Sequence, residues 1–176
     1  MNNTLKNILF AACLVAAQVL LFNNLQMRGM LNAYVAPCVY ILYLLVMPVG
    51  TSKVKTLFIA FILGLAVDLF SGTLGMNAAS HVLIGSLRPH MLNIYFPREK
   101  RDKITSPSIY TMGALSFLYY TFILVFIFHL ALCFLEVFNF YEAYLTILRA
   151  LTSAIASTAI MMIFQLLFVK KDNRYR

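Results

Sequence analysis

The stretch IYTMGALSFLYYTFILVFIFHLALCFL, residues 109–135, decides which class of fold this sequence can adopt. It contains no Asp, Glu, Lys or Arg, and it is longer than the about 20 apolar residues that a helix needs to cross a bilayer. Such a stretch predicts a membrane-spanning helix with some tilt. The rest of the chain agrees, because 62% of its 176 residues are hydrophobic and 11% are charged. This composition excludes a soluble enzyme, a disordered protein and a secreted disulfide scaffold, so we expect an integral membrane protein.

Six apolar stretches in all predict an all-α bundle of six transmembrane helices, in one membrane domain that covers residues 1–176. The predicted spans are about 5–22, 33–49, 56–70, 77–96, 109–135 and 141–169, with a loop at 97–108 and a tail at 170–176. The first span has Lys6 in front of it, as a signal peptide does. No clear small-x-small cleavage site follows, so we interpret this span as a permanent helix. The fourth span is the most polar of the six.

The distribution of Lys and Arg predicts how this bundle is oriented. With six spans, eleven of the 14 Lys and Arg residues fall on the side that holds both termini and the loop 97–108, and Arg28 alone falls on the other side. Lys and Arg are enriched on the cytoplasmic side, so both termini are predicted to be cytoplasmic. The net charge of +8 lies mostly in short connections between apolar runs, and no nucleic-acid partner is expected. Contact of the loop 97–108 with anionic lipid headgroups or a cytoplasmic partner is a secondary hypothesis.

Asp68 is a candidate functional residue because a carboxylate inside a membrane is costly unless it is paired or reaches water. It lies near the outer end of the third span, and the short connection 71–76 makes the third and fourth spans an antiparallel hairpin. His81 across the hairpin is one possible partner. The backbone N–H groups of the Gly72–Gly75 turn are another, and Arg149 is a third at longer reach. We expect a structural anchor rather than a ligand-binding or proton-relay group.

Arg88 is the deepest charged residue of the predicted bundle, roughly 12–16 Å from either end of the fourth span at the helical rise per residue. Pro89 follows it and removes a backbone N–H, which predicts a kink there. Arg88 therefore either faces a polar interior or extends toward the cytoplasm.

The outer half of the predicted bundle carries a second polar group, formed by His129, Glu136 and Arg149. Arg149 lies about two turns inside the last span and can extend to Glu136 or Glu142. We expect structural ion pairs, with a binding site as the alternative. His129 can also approach His81 from the fourth span.

No catalytic or metal-binding pattern is present in the sequence. It holds no Ser/His/Asp arrangement at a shared depth, no adjacent carboxylates, no phosphate loop and no metal-ligand spacing, so no catalytic residue, metal or cofactor is predicted. Cys13, Cys38 and Cys133 lie in apolar runs and are interpreted as packing residues. Small residues at 64–66 and 153–157 favour close helix–helix contact.

The third span and its turn read GLAVDLFSGTLGM, residues 64–76. This stretch resembles the signature of the rod shape-determining protein MreD family, in which an apolar helix ends in G-L-x-x-D and a glycine turn and L-G follow. Further matches resemble the Bacteroidota branch of that family, and the resemblance covers roughly residues 30–155. These matches are 34–40 around Pro37, Leu87-Arg88-Pro89, Pro97-Arg98, Phe128-His129, 134–138 including Glu136, and Leu148-Arg149.

The resemblance implies a non-enzymatic role in the elongasome, the bacterial machine that inserts peptidoglycan along the side wall. It implies an inner-membrane location and association with MreC, and through MreC with the MreB filament, RodA and the penicillin-binding protein that acts with RodA. It also implies the six-helix fold of the substrate-binding subunits of energy-coupling-factor transporters. That shared fold supplies an alternative function, in which the protein is the subunit of a transporter that binds a vitamin-type small molecule. Its binding site would then be the polar group in the outer half of the bundle. A third alternative is a lipid-modifying membrane enzyme, against which the lack of clustered acid and base groups argues.

Overall fold

The computed structural model of the protein describes residues 3–23, 35–73, 75–95, 106–137 and 143–168. Within these ranges all regular structure is helical, which confirms the predicted all-α class. Helix α1 (Asn3–Ala17) continues as a π-helical segment (Gln18–Asn23). The other helices are α2 (Ile41–Val46), α3 (Lys53–Ser71), α4 (Met76–Tyr95), α5 (Ile109–Met112), α6 (Ala114–Val137) and α7 (Ala143–Phe168).

Three of the helices, α3, α6 and α7, are long and apolar enough to cross a membrane. Large apolar side chains cover their outer faces, and Leu69 and Tyr144 are each 77% exposed. Such side chains are unfavourable in water but not in lipid, which is the environment of a membrane protein. The apolar helix Asn7–Leu21 is shorter, and α4 is less apolar because it carries residues such as His81 and Arg88. The number of six spans stays a prediction.

The predicted second span, 33–49, is not one continuous helix within the described residues. Residues 35–39 are non-helical, and α2 is only six residues long. Proline explains why residues 35–39 are not helical and why α2 is short, because proline lacks an N–H and disfavours the helical conformation of the residue before it. Pro37 lies in the non-helical part, and Met47, just before Pro48, has extended angles of φ −52° and ψ 147°. The predicted fifth span is also interrupted, at Gly113, where φ is +88°.

Helices α3 and α4 form the predicted antiparallel hairpin, and they approach very closely at Gly64. A Cβ atom at this position would lie 2.4 Å from the Ala78 Cα atom, so the crossing requires glycine. Toward the other end of the hairpin, a Cβ atom on Gly85 would lie 3.3 Å from the Ala60 Cβ atom. The prediction that small residues near position 64 permit close helix contact is therefore confirmed.

The non-helical segment 35–40 and α2 lie at the centre of the protein. Tyr40 and the α2 residues Ile41, Leu42, Leu44 and Leu45 are all fully buried. Side chains from the π-helical segment, α4, α6 and α7 contact this central stretch through hydrogen bonds. The longer helices thus surround a short, irregular element, and the polar groups of that element have to be satisfied inside the protein.

Candidate functional site

The Asp68 carboxylate caps the N-terminus of α4 from the end of α3. It accepts hydrogen bonds from the backbone N–H groups of Asn77 (3.1 Å) and Ala78 (2.9 Å). The Asn77 side-chain amide (3.0 Å) and the Thr73 hydroxyl also donate to it. The first N–H groups of a helix have no partner within the helix, and an anion there is further stabilised by the helix dipole. Asp68 is 3% exposed and is satisfied in this way without a cation.

The turn between α3 and α4 uses glycine where the backbone is left-handed. Gly72, with φ +68°, ends α3, and its N–H donates to the Asp68 carbonyl oxygen. Gly75 has φ +78° and immediately precedes α4. Residues with a Cβ atom seldom adopt such angles, so these two glycines bring Asp68 to the start of α4. The predicted capping by Asp68 is present, and among the described residues it acts on the backbone N–H groups of Asn77 and Ala78 at the start of α4.

His81 is an aromatic packing residue and not the partner of Asp68. Its ring stacks on Tyr40, with centroids 4.5 Å apart and an interplanar angle of 19°. The Phe128 ring packs against it in a T-shaped arrangement, with centroids 5.0 Å apart. Neither imidazole nitrogen has a hydrogen-bond partner in the part of the chain that the structure describes. Tyr40 in turn donates its hydroxyl to Asn77 Oδ1 at 2.7 Å. The capped hairpin is thus joined to the central segment through Tyr40.

The non-helical segment 35–40 is held by polar side chains from the π-helical segment and α7. Gln18 accepts from the Val39 N–H at 2.9 Å and donates to the Pro37 carbonyl at 3.1 Å. Ser153 accepts from the Ala36 N–H at 3.0 Å. Ser157 accepts from the Cys38 N–H at 2.9 Å. Buried backbone that is not helical needs other hydrogen-bond partners, and these three side chains supply them for the N–H groups of Ala36, Cys38 and Val39 and for the Pro37 carbonyl.

Sequence reasoning missed this role of Gln18, Ser153 and Ser157. The serines were recognised only as small residues that favour helix packing. A usable signal exists in hindsight, because serines four residues apart lie on one face of a helix, and Gln18 interrupts an otherwise apolar run. Which backbone groups they would bind depends on contacts 19 to 119 residues apart, and those are not visible in the sequence.

His129 joins the same network through Ser157, with 2.9 Å between His129 Nε2 and Ser157 Oγ. Ser157 donates its single hydroxyl proton to the Ser153 carbonyl at 2.7 Å and already accepts from the Cys38 N–H. His129 must therefore be the donor, which assigns the proton to Nε2. The Phe128 ring contacts the rings of both His129 and His81, with centroids 5.4 Å and 5.0 Å apart, so one phenyl ring lies next to both imidazoles.

Arg88 faces the interior, which is one of the two placements predicted for it. Its side chain is buried, at 2% exposure, and its guanidinium donates to the Met47 carbonyl just beyond α2. The Tyr120 hydroxyl donates to the Leu45 carbonyl, at 3.1 Å, in the last turn of the same helix. The last carbonyls of a helix lack partners within it and carry its negative dipole end, which favours a cation such as Arg88. Arg88 Nε has no partner among the described residues.

Glu136 and Arg149 form the predicted ion pair between α6 and α7. The distance from Arg149 Nη1 to Glu136 Oε2 is 2.9 Å, and the two side chains are 29% (Glu136) and 27% (Arg149) exposed. The other predicted partner, Glu142, lies outside the described residues. This pair joins α6 to α7 through two side chains, whereas Asp68 joins α3 to α4 by binding backbone N–H groups.

The arrangement as a whole is one of polar side chains that satisfy one another and the backbone. Within the described ranges, no group of three or more His, Cys, Asp or Glu residues could hold a metal ion. Cys38 and Cys133 are buried free thiols, and Cys13 is an exposed one. Asp68, His129, Arg88 and Glu136 each serve a contact between elements of the fold, so the network is suited to fixing the bundle in one conformation.

Comparisons with known proteins yield no match for this chain, whether to a family model, to a curated protein or to a solved structure.

Proposed function

We propose that this protein is a non-enzymatic membrane component of the bacterial elongasome. In this role it spans the inner membrane six times with both termini in the cytoplasm, binds an MreC-like single-span protein, and supports side-wall peptidoglycan synthesis. Its links to MreB, RodA and the penicillin-binding protein that acts with RodA are indirect. The orientation follows from the excess of Lys and Arg in the connections on one side.

One observation carries this proposal: within the described part of the chain, several of the residues that make the sequence resemble the MreD family contact one another. Asp68 and its glycine turn, Tyr40 near Pro37, and Phe128 are linked through Asn77 and His81. The matching residues Arg88, His129, Glu136 and Arg149 likewise bind other elements of the fold. Matches drawn from separate parts of the chain support the resemblance more strongly when they contact one another, as Asp68, Tyr40 and Phe128 do through Asn77 and His81, than when they are scattered.

The chemistry of these residues also fits a role in assembly. Each of Asp68, His129 and Arg88 is engaged by backbone or hydroxyl groups of the same chain. Groups that are used in this way stabilise a rigid surface for a partner helix. A helix-mediated contact with an MreC-like protein is consistent with the apolar outer faces of α3 and α7.

Depletion of the protein in the parent bacterium tests this function. We expect rods to become round and side-wall labelling by a fluorescent D-amino acid to fall, while septal labelling persists. An affinity-tagged copy should restore rod shape and co-purify an MreC-like protein from membranes. A Lys53→Gln copy, altered at an exposed helix end, should behave like the wild type.

Normal rods with normal side-wall labelling after depletion would contradict the proposal. A small molecule that co-purifies at one copy per chain, with a growth defect cured by adding that nutrient, would instead favour the transport subunit. These two results are distinguishable because a transport defect leaves the pattern of wall labelling unchanged once the nutrient is supplied.

A further inference from the structure

A large groove lies between α1 and α3. It has a volume of about 1030 Å³, and its walls are mostly apolar. They include Ile8 and Ala12 from α1, Leu20 from the π-helical segment, and Ile59, Ile62 and Phe70 from α3. Tyr43, Met47 and Pro48 also line it. A second cleft of about 670 Å³ lies on the other side of α1 and shares Asn7, Tyr43, Met47 and Pro48 with the groove. Helix α1 therefore stands partly apart from the rest of the bundle.

The polarity of the groove changes along its length. The lining residues Asn7, Thr51 and Lys55 are polar and lie near the N-terminal ends of α1 and α3. Lys55 is the one charged side chain among the described residues that line the groove. From Lys55 to Phe70 the wall is apolar and about 22 Å long at the helical rise per residue. One leaflet contributes about 15 Å of hydrocarbon, half of the bilayer core. The groove is thus deep enough to hold the acyl chains of one leaflet along their whole length.

We propose that this groove binds a glycerophospholipid with an anionic headgroup, its acyl chains along α1 and α3 and its phosphate beside Lys55. A lysine can lay its aliphatic stem along the apolar wall while its ammonium remains at the membrane surface, where a headgroup phosphate lies. Asn7 and Thr51 supply further donors at the same end. This end also carries Lys53, and the charge distribution of the chain places it in the cytoplasmic leaflet, where anionic lipids attract basic residues. A zwitterionic lipid fills the same groove, but its headgroup is attracted less strongly to the Lys55 ammonium.

The experiment is a lipid titration of the purified full-length chain in a mild non-ionic detergent, read by native mass spectrometry. The probes are phosphatidylglycerol and phosphatidylcholine with identical acyl chains. We expect phosphatidylglycerol to bind about five-fold more tightly, the factor that one lysine near an anionic headgroup provides. Lys55→Gln should remove this preference. Its matched control, Lys53→Gln, is an exposed lysine that does not line the groove and should retain the preference.

A second pair of variants tests the apolar part of the groove. Ala12→Phe places a ring inside the groove and should lower the binding of both lipids at least five-fold, while Ala159→Phe on the exposed face of α7 should lower neither. Ala66→Phe fills the groove from the α3 side and serves as a second blocking variant. Thermal unfolding of each variant shows whether it is folded, and the comparison uses the blocking variant that unfolds like the wild type.

Several results would overturn this assignment. Equal affinity of the wild type for the two lipids would show that Lys55 does not select the headgroup. If Lys53→Gln and Lys55→Gln lowered the preference for phosphatidylglycerol equally, the cause would be general charge attraction. Undiminished binding in a folded blocking variant would place the lipid elsewhere. Displacement of bound phosphatidylglycerol by glycerol 3-phosphate would indicate a site for the phosphate alone, without the acyl chains.

Discussion

Two stretches of irregular backbone lie among the apolar helices, and they are stabilised in different ways. At the turn between α3 and α4, Asp68 binds groups that are five to ten residues away in the chain. In the segment 35–40, the side chains that bind the backbone groups of residues 36–39 are 19 to 119 residues away, in the π-helical segment and α7. Both stretches face the same requirement, because an unpaired N–H away from water is costly. The hairpin end is a local structure, whereas the central segment exists only when the other helices have packed around it.

This difference explains which features could be predicted from the sequence. Apolar runs in the sequence predicted helices that overlap α1, α3, α4, α6 and α7, since the position of an apolar helix depends mainly on local sequence. The number of these helices that span the membrane stays a prediction. The carboxylate followed by a glycine turn predicted that Asp68 caps a neighbouring element, although not which N–H groups it would bind.

The central segment could not be predicted in the same way. Pro37 signalled an irregularity, but the loss of helix over 35–40 depends on whether distant side chains can replace the missing backbone hydrogen bonds. That replacement by Gln18, Ser153 and Ser157 is a result of tertiary packing. The acceptor that Arg88 binds could not be predicted either. It is the Met47 carbonyl, which has no partner within α2 because that helix ends before Pro48.

The largest effect is expected at the hairpin end, from Asp68→Leu. This change leaves the N–H groups of Asn77 and Ala78 unpaired, and at about 1–3 kcal/mol for each buried donor it should lower the free energy of unfolding by about 2–6 kcal/mol. Asp68→Asn keeps one acceptor oxygen and should cost less than half as much. Unfolding by SDS titration of the purified protein gives these values, and membrane abundance and co-purified partner should fall in proportion.

The adjacent Leu69→Ala provides the control for Asp68→Leu, because this side chain is 77% exposed and is apolar, so it supplies no hydrogen bond to the cap. Normal abundance and partner binding in Asp68→Leu would show that Asp68 is not an anchor. Loss of function in Asp68→Asn, with folding and partner binding intact, would instead indicate a ligand-binding or proton-carrying carboxylate.

A smaller effect is expected at the central segment, from Ser157→Ala. The hydroxyl accepts from the Cys38 N–H and from His129, so its removal leaves two buried donors without this acceptor. Because water or a shift of the imidazole can satisfy His129 in part, we expect a loss of about 1–3 kcal/mol in the same unfolding assay. Hydrogen exchange should also increase at Cys38 and Val39 more than in α3, since the segment depends on α7.

Ser86→Ala is the matched control for this change, because Ser86 is exposed and its hydroxyl donates to the Leu83 carbonyl one turn earlier in the same helix. If Ser157→Ala raised exchange equally in α3 and in the central segment, the contrast between local and distant support would not hold.

The smallest effect is expected from the Glu136–Arg149 pair, which tests whether the end of the α6–α7 hairpin resembles the buried cap at Asp68. The two side chains are 29% and 27% exposed, so surrounding water and ions weaken their attraction. A double-mutant cycle with Glu136→Gln and Arg149→Met should give a coupling free energy of about 0.2–1 kcal/mol, the range of partly exposed ion pairs. Added salt should reduce this coupling, whereas it should leave the effect of Asp68→Leu unchanged, because the Asp68 cap is buried and uses neutral donors.

A coupling above about 2 kcal/mol that is insensitive to salt would mean that the pair is desolvated in the membrane. The α6–α7 end would then be held as firmly as the capped turn between α3 and α4.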